Sequence, residues 1–217
     1  MKSIESLHEI KKNYNVFLFD QWGVIHNGKN LYPNAEKIFK DLLEEDKLIY
    51  VISNSGKKSS DNIPRLQQMG AENILKTEII TSGDVCLHYL SENKNPCKDL
   101  GLKFFPIGID YPLLNDTQFR KVHSLTDANF LLLSSTSGFY DFENTYSLMK
   151  TAINLEIPLV CSNPDILGIS GNDVHPSTGD LALYYKKNGG KTYFFGKPGV
   201  EIYDFVQSKS LRHKNEM

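Results

Sequence analysis

Three unbroken apolar runs constrain this chain more than any other feature: VFLFD (16–20), LIYVIS (48–53) and NFLLLSS (129–135). A strand with one wet face alternates apolar and polar residues. Runs like these fill both faces, as do strands of a parallel sheet covered by helices on either side. Helical patterns lie between them. PNAEKIFKDLLEEDK (33–47) opens with Pro33 and sets Ile38, Leu42 and Leu43 on one face. SSDNIPRLQQMG (59–70) reads as a helix with Ser60 or Asp61 as N-cap and Gly70 as its stop. EIITS (78–82) is a further strand, and GDVCLHYLSEN (83–93) a further helix. The expected fold class is α/β, Rossmann-like, with a parallel sheet.

After the polar stretch ENKNPCKDLG (92–101) a second unit begins. KFFPIG (103–108), NFLLLSS, PLVCSN (158–163) and TYFFG (192–196) are its strands; ENTYSLMKTAINLE (143–156) and GDLALYYKKNGG (179–190) are its helices. VEIYDFVQSKS (200–210) closes the pattern with Ile202, Phe205 and Val206 at helical spacing. The first fifteen residues, MKSIESLHEIKKNYN, have no apolar signal core and read as a short amphipathic helix.

Composition narrows the function. The formal net charge of -2 calls for neither nucleic acid nor an anionic membrane as partner, and no apolar run is long enough to span one. Cys86, Cys97 and Cys161 are odd in number and lack metal-ligand spacing, which fits reduced thiols in a cytoplasmic protein.

The chemistry collects where strands end. In open parallel α/β sheets, ligands bind beyond the carboxyl ends of the strands. Asp20 ends the first run, SNSG (53–56) ends the second, and GKP (196–198) follows the last. Ser53 and Asn54 bring a hydroxyl and an amide, Ser55 and Gly56 bring backbone N–H groups, and Lys197 brings a cation. An aspartate with such neighbours suits attack on a phosphoryl group through an acyl phosphate. Taken singly, each has a plainer reading: a turn aspartate, a turn Ser–Asn pair, a surface lysine.

FDQWGVIHNG, VISNSG and FFGKPGVEIYDF resemble the first three motifs of the haloacid dehalogenase (HAD) superfamily, class IIA, the NagD-like phosphatases. The N-P-D of CSNPDILG and the later GDLALYY resemble that group's cap segment. The resemblance implies a HAD core over 1–85, an inserted α/β cap over 86–185 and a return to the core over 186–217. It makes Asp20 the nucleophile and Lys197 the charge that neutralises it. Trp22, Gly23, Ser53, Asn54 and Ser55 would bind the phosphate, Asn163 and Asp165 would face the substrate, and Mg²⁺ would sit on Asp20 and the Trp22 carbonyl. The implied substrate is a small phosphorylated metabolite.

Two departures qualify this. The family's usual second aspartate, two places after the nucleophile, is Trp22 here. An indole cannot shuttle a proton, whereas His26 titrates near neutrality and is the nearby alternative. The family's acidic fourth motif does not follow the GKP helix, so the core and its Mg²⁺ site are expected to be incomplete at the C-terminus. The first strand would then keep an open edge, which favours self-association. A weak or inactive homologue acting as a binding protein, and a dehalogenase using Asp20 on carbon, are the alternative readings.

Overall fold

The computed structural model describes residues 6–135, 142–170 and 173–216. Its contacts group into two compact units. One comprises Met1–Ser53, Asn62–Ile80 and Val206–Met217; the other comprises Asn54–Asp61 and Thr81–Phe205.

The first unit carries β1 (Val16–Asp20), α1 (Ala35–Glu44), β2 (Leu48–Ser53), α2 (Ile63–Gln68) and β3 (Glu78–Thr81, whose last residue groups with the second unit). The sheet order is β1-β2-β3, with β1 and β2 parallel in the register Val16↔Leu48 to Asp20↔Ile52. β2 is buried along nearly its whole length, as its unbroken apolar run requires. β1 is an outer strand among those described, and Leu18 on it is 41% exposed. Phe17, Phe39, Leu42, Ile49, Val51, Leu66 and Ile74 form the core. The Glu36 carboxylate of α1 accepts the Asn73 N–H and side-chain amide, each at 2.8 Å, and the Ile74 N–H at 3.2 Å. That satisfies a turn start whose donors have no helical partner.

Two local expectations change. The N-terminal segment forms 3-10 turns over Leu7–Glu9 and Lys11–Asn13 rather than an amphipathic helix; residues 1–5 lie outside those described. Short segments favour such turns because helix nucleation costs more than a few bonds return. The helix expected from Ser60 or Asp61 begins at Ile63 after a 3-10 turn over Ser59–Asp61. Pro64 sits in its first turn, where a proline's missing N–H does no harm.

The second unit adds α3 (Ser82–Ser91), β4 (Lys103–Ile107), β5 (Arg120–Lys121), β6 (Phe130–Leu133), α4 (Phe142–Asn154) and β7 (Leu159–Cys161). β8 (Leu167–Ser170), β9 (Asp173–Pro176), α5 (Thr178–Lys187), β10 (Thr192–Phe194) and α6 (Val200–Glu216) follow. α6 passes from this unit into residues grouped with the first. The five-stranded sheet runs β10-β7-β6-β4-β5 with every pair parallel, and β8 and β9 form a separate antiparallel pair. Leu131, Leu133, Met149, Leu159, Leu181 and Tyr185 pack its core. Pro106 is tolerated in β4 because β5 pairs only with Lys103 and Phe104 and stops short of it. Thr81 and Asp84 cap α3 reciprocally, each side chain accepting the other's N–H at 3.1 Å.

The segment 186–217, expected to return to the core, behaves differently along its length. β10 extends the five-stranded sheet by pairing Thr192–Phe194 with Leu159–Cys161, and only residues from Val206 onward group with the first unit. A three-residue strand gains most of its stability by lying against an existing edge, and β7 supplies one.

Candidate active site

Asp20 occupies the carboxyl end of β1, and Ser53 the end of the adjacent β2, one residue beyond Asp20's register partner Ile52. Asp20 is partly buried, and its Oδ1 accepts the Gln21 N–H at 2.8 Å. Ser53 is buried. The first unit thus brings together two of the residues expected at the site.

The chain then folds back on itself. Ile25 N–H donates to the Gln21 carbonyl at 3.0 Å, Gly23 N–H to the His26 carbonyl at 2.9 Å, and Tyr32 N–H to the Ile25 carbonyl at 2.9 Å. Gly23 has φ +85°, a conformation that a side chain would strain. Its N–H is spent inside the turn, so Gly23 shapes the loop instead of offering that donor to a ligand.

Trp22 is packed from several sides. Its indole lies so close to Gly28 that a Cβ there would fall 2.5 Å from the ring. His26 meets it edge-on, centroids 5.2 Å apart at 76°, and the Arg65 guanidinium of α2 lies 5.1 Å from the ring centroid. The indole remains 37% exposed. His26 is wholly buried, and its Nδ1 accepts the Gly28 N–H at 3.0 Å, which places the ring proton on Nε2. Burial above all, and the Arg65 charge next, lower its pKa from 6.5 to about 4 against an opposing pull from Asp20. His26 is therefore a neutral structural imidazole at pH 7, not the replacement acid/base.

The second unit holds another cluster. Asn54 Oδ1 accepts the Lys197 N–H at 2.7 Å and the Ser82 hydroxyl at 3.4 Å. Its Nδ2 donates to Asp165 Oδ1 at 2.7 Å and to the Lys197 carbonyl at 3.1 Å. Both sides of the Asn54 amide are thus engaged. Its side chain fastens Lys197 and Asp165 in place, whereas the sequence suggested a phosphate contact. Gly196, at φ +118°, makes room for this: a Cβ there would stand 2.2 Å from Ser82 Oγ. Asn163 also works locally, its Oδ1 taking the Asp165 N–H at 2.9 Å and its carbonyl the Thr178 hydroxyl at 2.7 Å. The Ser55 carbonyl receives the Gly83 N–H at 3.0 Å, tying this segment to the start of α3.

Mg²⁺ needs six oxygens in near-octahedral geometry. Asp20 and the Trp22 carbonyl offer one carboxylate and one neutral oxygen, and among the described residues no group of three His, Cys, Asp or Glu side chains could hold a metal ion. The described donor set does not fit a self-sufficient Mg²⁺ site. Also among the described residues, no helix is long and apolar enough to cross a membrane.

Comparison with known proteins supports the sequence resemblance. Residues 17–108 match the family described as haloacid dehalogenase-like hydrolase. A dihydroxyacetone phosphatase of Corynebacterium glutamicum (strain R) is 27% identical over 192 residues, covering 84% of this chain and 64% of that protein. The chain thus spans less than two thirds of that relative's length. A haloacid dehalogenase-like hydrolase from Brucella suis 1330 superposes with a TM-score of 0.83 at 24% identity, covering 97% of this chain and 77% of the other. A possible sugar phosphatase from Cytophaga hutchinsonii superposes at 0.80 with 22% identity, covering 98% and 77%. These two structures share the fold. With β1 ending in Asp20, β2 ending in Ser53 and a second parallel α/β sheet inserted in the chain, this protein has the fold of the NagD-like haloacid dehalogenase-like hydrolases, and residues 17–108 carry the match to that family.

Proposed function

We propose that the protein is a phosphatase-type hydrolase of small phosphorylated metabolites, with Asp20 as nucleophile. The observation that carries this is the carboxylate at the end of β1 beside Ser53 at the end of β2. The described groups supply the following chemistry. An Asp20 oxygen attacks phosphorus. The Ser53 hydroxyl donates to a phosphoryl oxygen, and the backbone N–H groups of the 53–56 turn add further donors. The motif resemblance assigns the positive charge for the transferring group to Lys197, whose backbone Asn54 holds. Asp165 and Asn163 shape the loop that carries substrate contacts. The dihydroxyacetone phosphatase relative supports phosphate-ester hydrolysis as the reaction type.

The test is phosphate release from a panel of small phosphate monoesters and acyl phosphates, comparing the protein with Asp20→Asn and Lys197→Ala. The reading requires turnover that Asp20→Asn abolishes and Lys197→Ala lowers by roughly 10²-fold or more. Turnover unchanged in Asp20→Asn would refute it. Trp22 favours a second reading, attack of Asp20 on carbon with halide departing, because halide needs no proton. Halide release from 2-haloacids tests that reading.

A further inference from the structure

The turn that follows the nucleophile carries information about the leaving group. Trp22, two residues after Asp20, is fixed by Gly28 beneath it, His26 at its edge and Arg65 against its ring. The indole N–H donates hydrogen bonds but does not give up its proton near neutrality. Gln21, next to Asp20, is an amide that is 1% exposed. His26 is wholly buried, its Nδ1 is taken by Gly28, and its Nε2 is enclosed without a partner. Arg65 keeps its protons at any working pH. The turn after β1 therefore packs its aromatic ring against Gly28, His26 and Arg65 and offers no group that can hand a proton to a departing oxygen.

From this we infer that the enzyme turns over phosphates whose leaving group departs unprotonated, namely acyl, enol and aryl phosphates, and discriminates against alkyl phosphates. The inference rests on the phosphatase reading above and narrows its substrate class. An Asp20 oxygen attacks phosphorus, and the bond from phosphorus to the leaving oxygen breaks with its electron pair on that oxygen. A carboxylate, enolate or phenolate leaves. Water then attacks the phosphorus of the aspartyl phosphate and the bond to Asp20 breaks. Orthophosphate departs with the water's proton on one of its oxygens, and the Asp20 carboxylate is restored. An alkoxide cannot leave this way at a useful rate, because a positioned acid is worth roughly 10²–10⁴-fold in such a step.

The experiment measures kcat/KM on the full chain for aryl phosphates of graded phenol acidity, with acetyl phosphate and glycerol phosphate at the two extremes. Asp20→Asn serves as the blank. The expected result is a steep fall as the leaving group becomes more basic, with glycerol phosphate slower than acetyl phosphate by roughly 10²-fold or more. A flat series, with glycerol phosphate within a few fold of acetyl phosphate, would overturn the inference while leaving the phosphatase reading intact, and would mean that a donor from elsewhere reaches the leaving oxygen. No release from any compound, acetyl phosphate included, would overturn the phosphatase reading and the inference with it.

Discussion

Replacing Gly28 with alanine tests whether the Trp22 packing is as tight as described. Two costs add. Gly28 sits at φ +95°, where an L side chain costs about 1–2 kcal/mol. The new methyl would also stand 2.5 Å and 2.7 Å from two indole carbons. Main chain cannot yield there, but the outer end of an indole that is 37% exposed can, so the ring swings outward. It then loses the Arg65 contact, worth about 0.5–2 kcal/mol, along with part of its own burial. The total loss is about 2–4 kcal/mol. Gly23→Ala is the matched control. It has φ +85° and open space around a Cβ, so it bears the backbone cost alone, about 1–2 kcal/mol. Trp22 is the protein's one tryptophan, so its emission reports this site without interference. Urea titrations of both variants, followed by Trp22 emission and by circular dichroism, separate the two terms. Gly28→Ala should be the less stable variant and should show red-shifted, more quenchable emission in the folded state. Equal stability losses with unchanged emission would refute the packing described.

Three further outcomes follow from the same geometry. Because the His26 pKa falls from 6.5 to about 4 on folding, the folded chain binds fewer protons than the unfolded chain between those values. Its contribution is therefore full above pH 6.5 and is lost as pH falls toward 4, by up to about 3 kcal/mol; His26→Gln should flatten the stability profile in that window. Gly179→Ala should cost about 1–3 kcal/mol in a melting experiment, since a Cβ would fall 2.1 Å from the Pro164 carbonyl oxygen, a backbone atom that cannot swing aside. Asn54→Ala leaves the Lys197 N–H and Asp165 without their amide partner and should lower stability by about 1–3 kcal/mol, read by denaturant unfolding.

The elements with one-dimensional signals were legible in the sequence. β2 and β6 announced themselves as unbroken apolar runs because they are buried along their length. β5 could not be read: it is Arg120–Lys121, two charged and exposed residues that count as a strand only because β4 lies beside them. The β8–β9 pair was missed although Gly171, Asn172 and Asp173 between Ile169 and Val174 are turn-forming residues. Its exposed outer residues Leu167 and Val174 do not stand out as a buried strand would. The placement of Asp20 and Ser53 at adjacent strand ends was legible because strand ends in a parallel sheet point to one place. The work of Asn54 was not, because its partners are residues 165 and 197 and no local spacing encodes them. The burial of His26 was likewise hidden. A histidine in a polar turn looks like a surface group until Trp22 and Arg65 are seen packed around it.

The way the chain is divided also bears on how it is made. The first unit draws on three separated stretches, the last beginning at Val206, whereas the second is complete by Phe205. During synthesis the ribosome delivers β1, β2 and β3 early, yet Lys209, which pairs with Glu78 of β3, arrives only after the whole five-stranded sheet has been made. The second unit can therefore consolidate while the first waits for its final helix segment. In that interval Glu78 of β3 lacks its Lys209 partner, and non-native association of the incomplete first unit is to be expected.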